Sequence, residues 1–204
     1  MKKYVITSES KTILYAGRKV VLHRIKAKVD IPEGRVTKGK CGGWIESEAN
    51  LAQNGKCWVG ENAMVFDEAL ICDDAQVYGN AQVCGSAIVG GNASIYGNAL
   101  VTENAIILDS ARIRENCRVS GNTQVYSIAW IGGHAKVSGD AHIYEDALVY
   151  GYADIGGSAR IFGSCRVFGQ TKLHRGVITT GDIRANSFIR LKDRKASEQA
   201  CSPS

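Results

Sequence analysis

A six-residue period runs through the middle of this chain and leaves few folds open to it. Written in sixes, the sequence reads Ala63-Met-Val-Phe-Asp-Glu, Ala69-Leu-Ile-Cys-Asp-Asp, Ala75-Gln-Val-Tyr-Gly-Asn and Ala81-Gln-Val-Cys-Gly-Ser. Every sixth position from Val59 to Leu173 is Val, Ile or Leu, twenty out of twenty, and the frame never slips. Two positions earlier stands a small side chain: fifteen Ala, three Cys (Cys57, Cys117, Cys165) and two Thr (Thr123, Thr171). Residues two apart on a strand share a face, so the small and the aliphatic member point inward together and the residue between them points out. Gly or an acid comes soon after, as at Gly79, Gly85 and Gly97, followed by Asn, Asp or Ser, as at Asn80, Asn92, Asn98 and Asn116. Gly and Asn tolerate the positive φ of a tight corner. Each unit is therefore a short strand plus a corner, and its backbone finds hydrogen-bond partners only in the coils above and below.

This pattern resembles the hexapeptide-repeat family, whose fold is a left-handed parallel β-helix of triangular section. The resemblance implies three units per eighteen-residue coil. Twenty units supply nearly seven coils, a prism about 30 Å long at roughly 4.8 Å per parallel strand. Other solenoids fail on period, since leucine-rich repeats recur every twenty residues or more. Residues 3–30 read differently: Tyr4-Val-Ile-Thr and Thr12-Ile-Leu-Tyr are β-rich, and Val20 to Val29 alternates basic and aliphatic side chains as a half-buried strand does. A solenoid needs such a cap because an open coil presents unpaired strand edges and an apolar cross-section. The expected fold class is thus all-β, a left-handed parallel β-helix with a small N-terminal β cap. The expected layout is a cap and leading loop over 1–43, a β-helix of about seven coils over 44–191, and a flexible tail over 192–204. The segment Lys40-Cys-Gly-Gly-Trp-Ile45, leading into Asn50 to Val59, resembles a group of poorly characterised bacterial and prophage-encoded hexapeptide proteins that often carry transferase names. That resemblance covers nearly the whole chain and says little about activity.

Composition narrows the setting. With 45% hydrophobic and 22% charged residues over 204 positions, general disorder is excluded. The chain has no run of 18 apolar residues, so no membrane partner is expected, and Met1 to Ser10 lacks the apolar stretch of a signal peptide. Seven cysteines, an odd number without paired metal spacing, read as reduced thiols and point to a cytoplasmic location. The net charge of +5 hides a division. Residues 1–40 hold 11 basic against 3 acidic side chains, whereas residues 41–174 hold 8 against 14. Basic ends flank an acidic middle, but no aromatic-basic module accompanies them, and nucleic acid is not the expected partner.

Taking every eighteenth residue shows what each wall of the prism displays. A stripe wall carries Leu70, Ile88 and Ile106 before the buried aliphatics, with Cys72, Gly90 and Leu108 after them, and turns polar at Gln124, His142 and Arg160. An apolar stripe of this kind is normally a contact, so Leu70, Ile88, Ile106 and Leu108 are the expected oligomer interface, covered either by the N-terminal cap or by another subunit. The family's habit of side-by-side trimers implies the subunit, making a homo-oligomer, dimer or trimer, the expected assembly. An aromatic wall carries Trp58, Gln76, Ser94, Arg112, Trp130, Leu148 and Arg166, with Tyr78, Tyr96, Arg114, Tyr150 and Phe168 beside them. Either these are ladders that stiffen the sheet, with Arg112 over Trp130 as a cation–π pair, or Trp130, Tyr150, Tyr152 and Arg112 form a binding face. The third wall (Met64, Gln82, Leu100, Arg118, Lys136, Asp154, Lys172) reads as ordinary solvated surface.

Along one corner His134 and Tyr152 replace the usual Asn, Asp or Ser, and an exposed His, whose imidazole can take and give a proton, is the candidate catalytic residue. Many hexapeptide-repeat proteins transfer acyl groups from coenzyme A, typically with a His base between subunits and a long loop thrown out from one corner. The frame here from Cys57 to Leu173 has no insertion to make such a loop. The chain's His residues (His23, His134, His142, His174) also lack the close pair of the fold's carbonic-anhydrase relatives, so no metal site is expected. The leading expectation is a non-catalytic rigid scaffold without a cofactor, a prophage factor among its forms, that binds a host protein or a small ligand. The alternative is an acyltransferase using acetyl-coenzyme A.

Overall fold

The computed structural model describes residues 2–32 and 36–184. Within them the sixfold frame becomes a parallel β-solenoid with three walls. Short strands, two residues long except for Arg166–Phe168, recur from Trp58–Val59 to Lys172–Leu173. Up to Asp154↔Lys172 each pairs with its counterpart eighteen residues on, as in Gln76↔Ser94 and Arg112↔Trp130, and the closing pairs Arg160↔Val177 and Arg166↔Asp182 come from shorter coils. One wall is a ten-stranded sheet, the aromatic wall has eight strands and the stripe wall seven. The interior columns are dry. Every aliphatic member of the frame and every small partner is buried, at a gain of roughly 1.5–3 kcal/mol per aliphatic side chain. Thr123 and Thr171 fit the small slots because their hydroxyls donate to the carbonyls of Ser120 and Phe168, each at 2.7 Å.

The corners explain why acids and glycines share one slot. Glu61, Asp67, Asp73, Glu103, Asp109, Glu115 and Glu145 all sit at positive φ, between 54° and 64°. Each carboxylate accepts a hydrogen bond from the backbone N–H eighteen residues on: Gly79, Gly85, Gly91, Gly121, Ser127, Gly133 and Gly163 in turn. A charge-assisted bond of this kind offsets the cost of a left-handed non-glycine residue. The neighbouring corner slot carries amide ladders, Asn62 to Asn80 to Asn98 to Asn116, with spacings of 2.9–3.3 Å.

The N-terminal segment is an antiparallel hairpin, β1 (Tyr4–Tyr15) and β2 (Arg18–Ala27), which pairs with β3 (Cys41–Ile45). Strand β3 lies outside the sixfold frame yet forms a rung, with Trp44↔Met64 and Ile45↔Val65 in parallel register. The Gly-Gly before Trp44 is a packing requirement. A Cβ on Gly42 would lie 2.6 Å from Ile25 Cγ1 and Trp58 Cζ2, and one on Gly43 would lie 2.6 Å from the Ala63 carbonyl oxygen.

One end of the hairpin plugs the prism: Tyr4, Ile25, Ala27, Ile31 and Val36 join the central core, and the Tyr4 hydroxyl donates to the Leu51 carbonyl at 2.7 Å. The other end bends back over the outside of the ten-stranded wall. There Val20 and Leu22 pack with Trp44, Phe66 and Cys84, and Tyr15 meets Phe66 edge-on at 4.9 Å. Arg18 pairs with Asp67. This corrects one expectation and decides against the cap as the cover of the apolar stripe. The wall of Met64, Gln82 and Leu100 is not simply solvated, because its first coils are covered, and the cap does not lie over Leu70, Ile88 and Ile106. The physical reason is the column after the aliphatics, where Phe66 and Cys84 supply the apolar surface that the hairpin buries.

Val177–Ile178 and Asp182–Arg184 continue the stripe and aromatic walls. Positions from Ala185 onward, including Ile189, Leu191 and the expected tail over 192–204, lie outside the described residues. Among the described residues no helix is long and apolar enough to cross a membrane.

Candidate functional site

The aromatic wall presents two outward columns, and a shallow cleft of about 340 Å³ opens between them. Trp130 and Leu148 line it from the column before the aliphatics, and Arg114, Gly132 and Tyr150 from the column after. Three strands position these groups, Arg112–Ile113, Trp130–Ile131 and Leu148–Val149, held one coil apart by parallel pairing. Trp58 stands on this wall as expected, in register with Gln76, but it is fully buried and joins the central core, where it packs near Ile25.

The cation over Trp130 is Arg114, at 3.6 Å from the ring centroid, and not Arg112 as expected. Register does place Arg112 one coil below Trp130, but Arg112 stays exposed and does not line the cleft. Gly132 makes the difference. It stands directly above Arg114 and projects no side chain, so the arginine rises against it, its Cγ and Nε 3.3 Å from where a Cβ would be. Above the cleft, Tyr150 stacks on Phe168 at 4.9 Å with 8° between the rings, and Arg184 caps Phe168 at 4.7 Å. Charge in the cleft is balanced: Glu115 Oε1 lies 3.2 Å from Arg114 Nε, while Oε2 accepts from the Gly133 N–H at 2.6 Å. The indole N–H of Trp130 is buried and has no acceptor among the described residues.

His134 and Tyr152 meet as expected, stacked at 4.9 Å and 5° on a corner beside the cleft. The stack orients the imidazole, but among the described residues no carboxylate pairs with it. A general base with a raised or steered proton affinity would need such a partner. His174 lies 3.7 Å from Asp154, which stands on the ten-stranded wall, and neither lines the cleft. Among the described residues no group of three His, Cys, Asp or Glu side chains is arranged to hold a metal ion. The cysteines in Ala slots are poor nucleophiles. Burial pushes the Cys117 thiol up to about 12, and burial also raises Cys57 and Cys165. All stay protonated at neutral pH.

On the stripe wall, Leu70, Ile88 and Ile106 form one column as expected, with Ile88 and Leu108 each 37% exposed. The polar turn at Gln124, His142 and Arg160 holds for that column alone. The adjacent column runs on from Leu108 through Tyr126, Tyr144 and Phe162, stacked at 4.9 and 4.6 Å. Sequence reasoning missed this ladder, although the eighteen-residue spacing of 108, 126, 144 and 162 carried the signal.

A family model described as the YdcK beta solenoid repeat matches residues 75–91 and 93–109. The chain is also 37% identical over 71 residues to a protein of Escherichia coli (strain K12) named uncharacterized acetyltransferase YdcK. That alignment covers 32% of this chain and 21% of the relative, so the chain spans about a fifth of the curated relative it matches.

Proposed function

Taking a hexapeptide-repeat β-solenoid as the premise, we propose that this protein is a non-catalytic rigid scaffold that binds a partner protein or a small ligand on its aromatic wall. The observation that carries this reading is the cleft between Trp130 and Tyr150, walled by planar side chains and glycine backbone and, among the described residues, without an oriented acid–base pair. The unbroken run of strands from Trp58 to Leu173 supports it, since it leaves no corner loop to fold over a bound cofactor. The resemblance to prophage-encoded proteins makes a host protein one natural partner. A cytoplasmic setting accords with the six described cysteines, all of them free thiols. A second copy of the chain is the proposed occupant of the stripe wall, whose apolar column is flat, stiff and open. Pull-down with the full chain tests the main reading: Trp130→Ala with Tyr150→Ala should release the retained partner, and a partner held unchanged by that variant would refute the choice of wall.

A second reading is favoured by the printed name of the relative: an acyltransferase taking acetyl-coenzyme A, with His134 as its base. Calorimetry separates the two. Absence of acetyl-coenzyme A binding ends the acyltransferase reading, whereas binding together with loss of turnover in a folded His134→Ala variant would establish it.

A further inference from the structure

Strand β1 ends the ten-stranded sheet. It pairs with β2 on one side, and among the described residues nothing pairs with it on the other. In an antiparallel pair every second residue turns its N–H and C=O away from the partner strand. Over the first half of β1 that outer edge is engaged or broken. The Tyr4 N–H donates to Gln53 Oε1, the register slips between Ile6 and Ser10, and the Glu9 N–H turns back to Thr7 Oγ1. From Ser10 to Tyr15 the register is regular, Ser10↔His23 through Tyr15↔Arg18, and the outer backbone groups meet no partner among the described residues. Six residues is the length of an ordinary strand. An open edge invites pairing unless something blunts it, and here the blunting stops at Glu9.

The two faces beside this edge differ in chemistry. Outward stand Ser10, Thr12 and Leu14, opposite His23, Val21 and Lys19; Leu14 is 74% exposed and Val21 46%. Inward, Lys11 Nζ lies 4.4 Å and the Arg24 guanidinium 4.9 Å from the centroid of the Trp44 ring, and Arg24 Nε is buried without an acceptor among the described residues. The ring attracts both cations and neutralises neither. Burial, and then the Arg24 charge, lower the proton affinity of Lys11. The hairpin Tyr4–Ala27 holds Lys11, Arg18, Lys19, Arg24 and Lys26 against Glu9 alone. Among the described residues only Arg18 of these cations has carboxylate partners, Asp67 and Glu46.

We infer that the Ser10–Tyr15 edge is a docking strand for an extended acidic peptide, which joins the ten-stranded sheet as one strand more. Backbone pairing supplies the attachment and charge supplies the choice. A residue of the added strand directly across from Lys11 shares its inward face, with Cβ atoms about 5 Å apart, so a carboxylate there reaches the ammonium. The next residue turns outward beside Thr12 and Leu14, where an aliphatic group covers exposed apolar surface. The matching sequence therefore alternates acid and aliphatic. A second copy of β1 fits worse, because it brings further unneutralised cations to the same edge. The docking strand lies apart from the aromatic wall, and neither reading depends on the other.

The probe is a fluorescently labelled octapeptide of alternating Glu and Val, titrated into the full chain by polarisation. Saturable binding is expected. It should be at least tenfold weaker for a Lys-Val octapeptide, which reverses the charge, and for a Glu-Pro octapeptide, which keeps the charge but cannot pair as a strand. Lys11→Glu should weaken the Glu-Val peptide at least tenfold. Circular dichroism checks that this variant is folded, and Lys11→Met, which keeps the stem and drops the charge, carries the test if it is not. Hydrogen exchange should show amides within Ser10 to Tyr15 slowed by the peptide and those of Trp130 and Ile131 unchanged. No saturable binding of the Glu-Val peptide overturns the docking strand, as does wild-type affinity in the folded Lys11 variant or protection confined to other strands. Equal binding of the Glu-Pro peptide, or displacement by an equal concentration of a thymidine octanucleotide, overturns it as well, since either would mean that the hairpin reads anionic charge without strand pairing.

Discussion

Two walls of the same prism turn apolar side chains outward, and the described residues cover only one of them. On the ten-stranded wall Trp44, Phe66 and Cys84 are buried under the N-terminal hairpin. On the stripe wall Ile88 and Leu108 remain 37% exposed, and Tyr126, Tyr144 and Phe162 are half-buried only because they stack on one another. Backbone, rise and register are the same for both, so the difference lies in what is laid against each from outside. A solenoid's repeat fills its interior; the fate of an outward column depends on a separate layer. A bare apolar column of this extent marks a contact.

Substitutions at matched depths test the contrast. The largest effect belongs to Phe66→Ala, which empties a fully buried site beneath the hairpin and should cost about 3–4 kcal/mol in denaturant unfolding. A cost under about 1 kcal/mol would show that the hairpin does not seal this wall. Behind both walls the interior can be read through Cys117. Its thiol ionises near 9 when unfolded and at about 12 when folded, so the unfolded chain gives up its proton first. Stability should therefore be complete below pH 9 and fall as pH rises from 9 towards 12, by roughly 1.4 kcal/mol per pH unit from this group. Cys117→Ala should lack that component of the slope; an unchanged slope would mean a wet interior.

Smaller still is Tyr144→Ala, which breaks the exposed ladder and should cost about 1 kcal/mol in the isolated chain, well below Phe66→Ala. Equal costs would erase the distinction between the walls. Least affected in stability, within about 0.5 kcal/mol, should be Ile88→Glu with Ile106→Glu. Light scattering should show an assembled wild type and a monomeric double variant. A monomeric wild type would leave the stripe wall without its proposed occupant.

The interior was legible because its rule is strictly periodic: Val77, Ile95 and Ile113 sit where a spacing of six puts them. The hairpin's docking was not, because Tyr15 reaches Thr102 across 87 residues of chain and no repeat relates the two. The cleft was half legible. Column arithmetic brought Trp130 and Tyr150 to one wall and His134 to Tyr152. It misassigned the cation because arithmetic counts side chains that are present, and Arg114 moves into the space of one that is absent, at Gly132. Trp58 followed the period yet is buried, since the period takes no account of a plug at the end of the prism.

The corner bonds from each acid to the backbone eighteen residues on have a consequence for how such a chain can change its length. The core tolerates any whole number of sixes, because one Ala–Val pair replaces another. The exterior does not. Losing a single six-residue unit between Glu115 and Trp130 would leave the hydrophobic filling intact but rotate everything downstream by a third of a turn. Glu115 would then face a different corner from its Gly133, and Arg114 would part from Trp130. Insertions and deletions that preserve the faces must come in steps of eighteen, so the surface, more than the core, sets the increment by which such a solenoid can lengthen or shorten.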